Sequence, residues 1–174
     1  MNTITIRPAT LADISALHAL VESAYRGDSA KHGWTHEADL LGGQRTDPAL
    51  LRDVLSAQNE TVLLALVGDD LIGCVQISMH GDKKASLGML SVNPARQTAG
   101  VGKHLIAAAQ AHAKASGATR MEMRVIAQRK ELIAFYLRRG YADTGATARF
   151  PYGDERFGLP LRDDLTFVIL AKDL

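Results

Sequence analysis

The chain contains a single cysteine, Cys74, set inside the apolar run LIGCVQISM. One thiol can close no internal disulfide and build no cysteine-ligated zinc site. Aromatic residues are scarce at 5%, with Trp34 the only tryptophan. An excess of either charge is also missing, because 20 Lys and Arg stand against 19 Asp and Glu for a formal charge of +1. So even a balance gives no net electrostatic drive toward nucleic acid or a membrane surface. No window approaches the ~18 consecutive apolar residues of a spanning helix. The opening MNTITIRPATLADISALHALV has no basic stretch ahead of an uninterrupted apolar run, as a secretory signal requires. The expectation is a reduced, cytoplasmic chain whose 174 residues, 1–174, form one domain with a real core.

What is present is an alternation of strand and helix patterns. TITIR has the period-two pattern of a strand, and Thr10 with Asp13 three residues on is an acidic variant of a capping box. The helix it opens runs to about Tyr25, with Ile14, Leu17, Leu20 and Val21 on one face. Positions 26–47 are irregular, and Asp47-Pro48 then caps a short helix, PALLRDVLSAQ. TVLLALV and LIGCVQISM form a hairpin around Gly68-Asp69-Asp70, and ASLGMLSV continues the meander after the turn HGDKK. A helix from about Gly100 to Ser116 ends at Gly117, TRMEMRVI alternates as a strand, and KELIAFYLRR is a helix ended by Gly140. YADTGATARF and LTFVILAKDL are the last strands, joined by the loop PYGDERFGLPLRDD. The fold class is mixed α/β, a mostly antiparallel sheet flanked by helices.

The segment SVNPARQTAGVGKHLI raises the question of a phosphate cradle. A Walker loop needs glycine where Gln97 stands and a hydroxyl where His104 stands, and a dinucleotide fingerprint needs glycine in place of Leu105. What remains is a strand, a proline turn and a row of amides from Thr98 to Lys103 opening a helix, a place where anions bind without a lysine. Gly100 and Gly102 clear side chains from the path of a diphosphate; equally, they allow a tight strand-to-helix junction.

Val92-x-Pro94-x-x-Gln97-x-x-Gly100-x-Gly102 resembles the acyl-CoA signature of the GCN5-related N-acetyltransferase (GNAT) superfamily. IRPATLAD is similar to that superfamily's first strand and helix start, and LIAFYLRRGY to its later tyrosine-bearing helix. The order of elements matches from Thr3 to about Leu170. The chain departs from the pattern at Ala99, where glycine is common, and at Arg129, where asparagine often opens the tyrosine helix.

The resemblance implies the acyl-CoA N-acyltransferase fold and an acetyl-CoA-dependent transfer, with acetyl-CoA as cosubstrate and no metal. The amides of Gln97, Thr98, Ala99, Gly100, Val101, Gly102 and Lys103 would hold the pyrophosphate. The strand carrying Leu90, Ser91 and Val92 would part from MEMRVI and offer Leu90 and Val92 to the pantetheine. The amide of Leu90 or Met89 would polarise the thioester carbonyl. Tyr136 would protonate the departing thiolate, although its helical stripe with Leu132, Phe135 and Arg139 equally describes a core tyrosine. A neutral attacking amine calls for a general base, for which Glu122, Glu37 and His80 are the candidates.

His32 and His36 are four apart, but Gly33 between them works against the helix a metal site would need, and a polar loop with Trp34 toward substrate is the simpler account. Specificity is expected from positions 27–47 and 150–164, with Trp34, Glu37 and Tyr152 as substrate-binding candidates. The lack of a strongly charged docking surface favours a small-molecule amine over a protein N-terminus or lysine. A non-catalytic acyl-CoA-binding module, or a transferase of longer acyl groups, shares the same residues. The resemblance also allows a homodimer through an edge strand or the C-terminal hairpin.

Overall fold

The computed structural model describes residues 3–26, 31 and 36–174. Its centre is a seven-stranded sheet of β1 (Ile4–Pro8), β3 (Glu60–Val67), β4 (Asp70–Met79), β5 (Lys84–Val92), β6 (Arg120–Ile126), β9 (Thr166–Asp173) and β7 (Ala142–Arg149), side by side in that order. A second, two-stranded sheet pairs β2 (Leu41–Gly42) with β8 (Leu159–Pro160). Both lie in stretches expected to be irregular, and two residues are too few for an alternating pattern to show.

Four helices among the described residues cover the main sheet. α1 (Ile14–Tyr25) and α2 (Pro48–Ser56) close one face, where Leu17, Val21 and Leu51 pack on Val62, Leu64, Cys74 and Met89. α3 (Val101–Ala115) and α4 (Lys130–Leu137) close the other, where Leu105, Ala109 and Tyr136 meet Val75, Leu87, Met121 and Met123. The caps act as their sequence implies. Asp47 Oδ1 accepts from Leu50 N–H at 2.8 Å, and Gly117 and Gly140 take φ of +95° and +89° where α3 and α4 end. α2 stops short of the expected end because Ala57 is already extended.

The alanines of α3 bring it close to the sheet, with Ala109 and Ala113 fully buried. The sheet contributes its own clearance at Gly73 in β4. A Cβ there would come within 2.9 Å of Leu105 Cδ1 and 3.0 Å of Val101 Cγ1, so glycine is what seats the start of α3 against β4.

The helix expected from about Gly100 begins at Val101, and a 3-10 turn that the sequence did not announce precedes it. Asn93 Oδ1 accepts from Ala95 N–H at 3.0 Å and Pro94 opens a 3-10 turn, Pro94–Ala99. Gly100 then reverses the chain at φ +76° before α3 begins at Val101.

Candidate active site

The sheet is antiparallel at every pairing except β5 with β6, and those two strands stay together only briefly. Lys84, Ala85 and Ser86 lie opposite Arg120, Met121 and Glu122, after which the strands part. The cause lies in β5. Its register with β4 slips between Cys74 and Gln76, and opposite that slip Met89 adopts φ +49°, a left-handed conformation rare for a side-chain-bearing residue. Ser91 Oγ donates to the Met89 carbonyl at 3.1 Å and braces the bulge from the buried side. Beyond the bulge, β5 turns its next carbonyls to side chains: Leu90 accepts from Tyr25 Oη at 2.7 Å and Val92 from Gln97 Nε2 at 3.3 Å. A carbonyl oxygen has two lone pairs, so each can take a further donor.

Two cavities open along this gap. A smaller one of about 190 Å3 runs past Val92, Gln97, Gly100, Gly102 and Lys103, with Phe135 and Arg139 of the α4 region on its other side. A larger one of about 750 Å3 lies over Ser86, Gly88, Glu122, Arg124 and Ile126, which share one face of the sheet. The two share Tyr25, Leu90, Arg129, Leu132 and Tyr136 as lining. They therefore meet where β5 and β6 diverge.

Tyr136 stands at that junction. It is buried, its ring packing edge-on against Phe135 at 5.4 Å and Tyr141 at 5.9 Å between centroids. Its hydroxyl has no hydrogen-bond partner among the described residues, and burial pushes it far above the ordinary tyrosine pKa, so it carries its proton at any working pH. A neutral phenol facing a cavity can donate a proton; it cannot serve as a base at neutral pH.

Glu122 lines the larger cavity with about a third of its side chain exposed, and Arg120 Nε donates to it at 3.0 Å. His80 lines the same cavity, its Nε2 paired with Ser86 Oγ. Glu37 is also there, but buried at 5% exposure and surrounded by guanidinium groups: Arg26 at 2.7 Å, Arg129 at 3.6 Å and Arg45 at 3.9 Å. That engagement makes its carboxylate an anchor for the arginines. Tyr152 lines neither cavity. It is 44% exposed and braces its own loop, donating to the Arg162 carbonyl at 3.0 Å and accepting from Leu165 N–H at 2.8 Å. His36 Nδ1 accepts from Ala38 N–H at 3.2 Å. Trp34 and His32 lie outside the described residues.

Of the expected cradle, Gln97, Gly100, Gly102 and Lys103 border the smaller cavity. Val101 is buried in the core beneath it, and Thr98 and Ala99 belong to the preceding 3-10 turn. Sequence reasoning did not find Tyr25, Arg45 or Arg124. Tyr25 ends α1 with no motif to mark it, and Arg45 sits in an irregular stretch. Only Arg124 left a trace, sharing the alternation of Glu122 and Ile126 on β6.

A groove in a half-parted sheet, with a glycine-opened helix at one end and a buried tyrosine at its middle, defines an acyl-CoA-dependent transferase architecture. The model of the Acetyltransferase (GNAT) family matches residues 17–141, and the chain belongs to that family. No curated protein matches it by sequence. Solved structures resemble it throughout. The Ard1 protein of Thermoplasma volcanium superposes with a TM-score of 0.73 at 17% identity, covering 98% of this chain and 97% of that one. The ribosomal-protein-alanine N-acetyltransferase of Brucella melitensis gives 0.73 at 20% identity, covering 98% and 99%. The PaiA N-acetyltransferase of Thermoplasma acidophilum, in complex with coenzyme A, gives 0.69 at 19% identity, covering 99% of each chain.

Proposed function

We propose that this chain, as one domain, moves an acetyl group from acetyl-CoA directly to the primary amine of a small molecule. The observation that carries the proposal is the meeting of two cavities at Tyr136 and Leu90, since direct transfer needs donor and acceptor to enter from different sides and touch at one point. The smaller cavity suits the donor. The start of α3 directs unpaired N–H groups and a partial positive charge to its mouth, with Lys103 beside it, as a pyrophosphate requires. The pantetheine then follows β5 past Val92 and Leu90.

The amine attacks the thioester carbon as a neutral nucleophile, having given a proton to Glu122 directly or through water. The amide of Leu90 or Met89 stabilises the oxyanion that forms. When the intermediate collapses, the C–S bond breaks and Tyr136 protonates the sulfur. The second amine proton passes to solvent, to which Glu122 also releases its proton and from which Tyr136 recovers one, so both groups are restored and one proton is released per turnover. The larger cavity holds the acceptor.

The test is release of free CoA thiol from acetyl-CoA against a panel of amines, with product mass confirming an added acetyl group. Turnover of at least one small amine is expected. Tight CoA binding with no acceptor consumed across the panel would leave a binding module in its place.

A further inference from the structure

The charge on the wall of the larger cavity is one-sided, although the whole chain is almost neutral. Among the described residues five arginines line this cavity against two glutamates. Glu37 is buried against Arg26 at 2.7 Å, and Glu122 pairs with Arg120 at 3.0 Å while a third of its side chain stays exposed to take the amine proton. Arg124, on the cavity face of β6 between Glu122 and Ile126, has an exposed side chain and no acidic partner among the described residues. Arg45, from the segment between β2 and α2, is held loosely, 3.9 Å from Glu37 and with its guanidinium 5.0 Å from the Tyr25 ring centroid. A surplus of guanidinium groups around a partly enclosed space repels a cation and is relieved by an anion. The planar fork of arginine fits a carboxylate with two parallel hydrogen bonds.

We propose that the acceptor is an amine that also carries a carboxylate, with Arg124 receiving that carboxylate from the sheet and Arg45 assisting from the segment ahead of α2. This rests on the acetyl-transfer reading above and narrows its substrate class. Polyamines and other purely cationic amines enter against the same field and are poor acceptors. The carboxylate holds the molecule in the larger cavity while its amine extends to the junction at Tyr136.

The experiment compares kcat/KM for pairs of amines differing only in the carboxylate: an amino acid, its primary amide and its decarboxylated amine, with a polyamine and an aminophosphonate alongside. The acid is expected to exceed its amide and decarboxylated partners by roughly tenfold or more, the size of a charge-assisted hydrogen bond. Arg124→Gln should reduce that preference by about the same factor through KM, with the KM for acetyl-CoA unmoved, and Arg124→Lys should restore part of it. An aminophosphonate used better than the amino acid would overturn the carboxylate assignment. Equal use of the acid and its decarboxylated partner, or a preference that survives Arg124→Gln, would overturn the inference and leave acetyl transfer standing. If no amine is turned over, acetyl transfer itself fails, and calorimetry of the amino acid into the CoA-loaded protein decides the inference. Binding lost in Arg124→Gln supports it, and no binding to the unaltered protein rejects it.

Discussion

The hydroxyl of Tyr25, at the end of α1, donates a 2.7 Å hydrogen bond to the carbonyl of Leu90, 65 positions later in the chain. This contact ties the first helix to the bulged strand at the point where the two cavities meet. Tyr25 is half-buried, and desolvation raises its pKa, so the donor stays protonated. Tyr25→Phe removes the donor and leaves the Leu90 carbonyl unmatched. A loss of about 1–2 kcal/mol in stability is expected in denaturant titration. The KM for acetyl-CoA should rise with it, because the bulge that aims β5 loses its brace.

Tyr136→Phe keeps the ring contacts to Phe135 and Tyr141 and removes only the hydroxyl. The melting temperature and the affinity for CoA should hold, while kcat falls by about 10²-fold, the lower range for a lost general acid. The deficit should be largest near neutral pH. It should shrink as the pH passes ~8.5, where a thiol leaves as thiolate without help. A kcat unchanged at neutral pH would remove Tyr136 from the acid's role.

Gly102 separates folding from binding. A Cβ at this position meets Phe135 Cζ at 3.5 Å and Val92 Cγ2 at 3.9 Å, ordinary contact distances. Gly102→Ala should therefore fold normally and gain up to about 1 kcal/mol from helix propensity. Gly102→Val carries two methyl groups into the narrow cavity and should weaken CoA binding by more than tenfold in calorimetry. Gly100 behaves differently: at φ +76°, Gly100→Ala costs about 1–2 kcal/mol of stability through backbone strain alone.

Asp13 sets an acid limit on the first connection. Arg7 reaches it with two hydrogen bonds, at 2.9 and 2.8 Å, and Thr10 N–H donates to it at 2.7 Å. The Arg7 guanidinium first, and then Thr10, hold the carboxyl well below the usual carboxylate range. With the folded pKa below the unfolded value of ~3.9, the unfolded chain takes up the proton first. The contribution is complete above about pH 4 and is lost as the pH falls below it. Melting temperatures measured from pH 6 to pH 2 should fall less steeply in Asp13→Asn than in the unaltered protein. Because Arg7 is well exposed, the difference should be small.

The local grammar of the chain was legible because each signal acts within a few residues. Asp47 caps the helix it precedes, Gly117 and Gly140 end theirs, and Val67 and Asp70 pair across a two-residue turn. The cradle motif was visible for the same reason, since a proline turn, Gly100 and Gly102 shape one short stretch of backbone. The 3-10 turn ahead of Gly100 escaped notice because both helix types favour the same opening residues.

The larger cavity was legible only in part, through Glu37, His80, Glu122 and Tyr136. Tyr25, Glu37, Arg45, Arg124 and Tyr136 come from separate elements, and no spacing relates them. Glu37 and Tyr152 were comparable loop residues by sequence, yet one is enclosed by arginines and the other braces a surface loop. Composition put the whole chain near zero charge, and only the folding of the sheet gathers its arginines around one cavity. Helix starts, turns and the glycine-marked entry to α3 follow from short-range backbone preference, which the order of residues carries openly. The parting of β5 from β6, the junction at Tyr136 and the sign of the larger cavity arise from long-range pairing and burial, and those exist only once the sheet has formed.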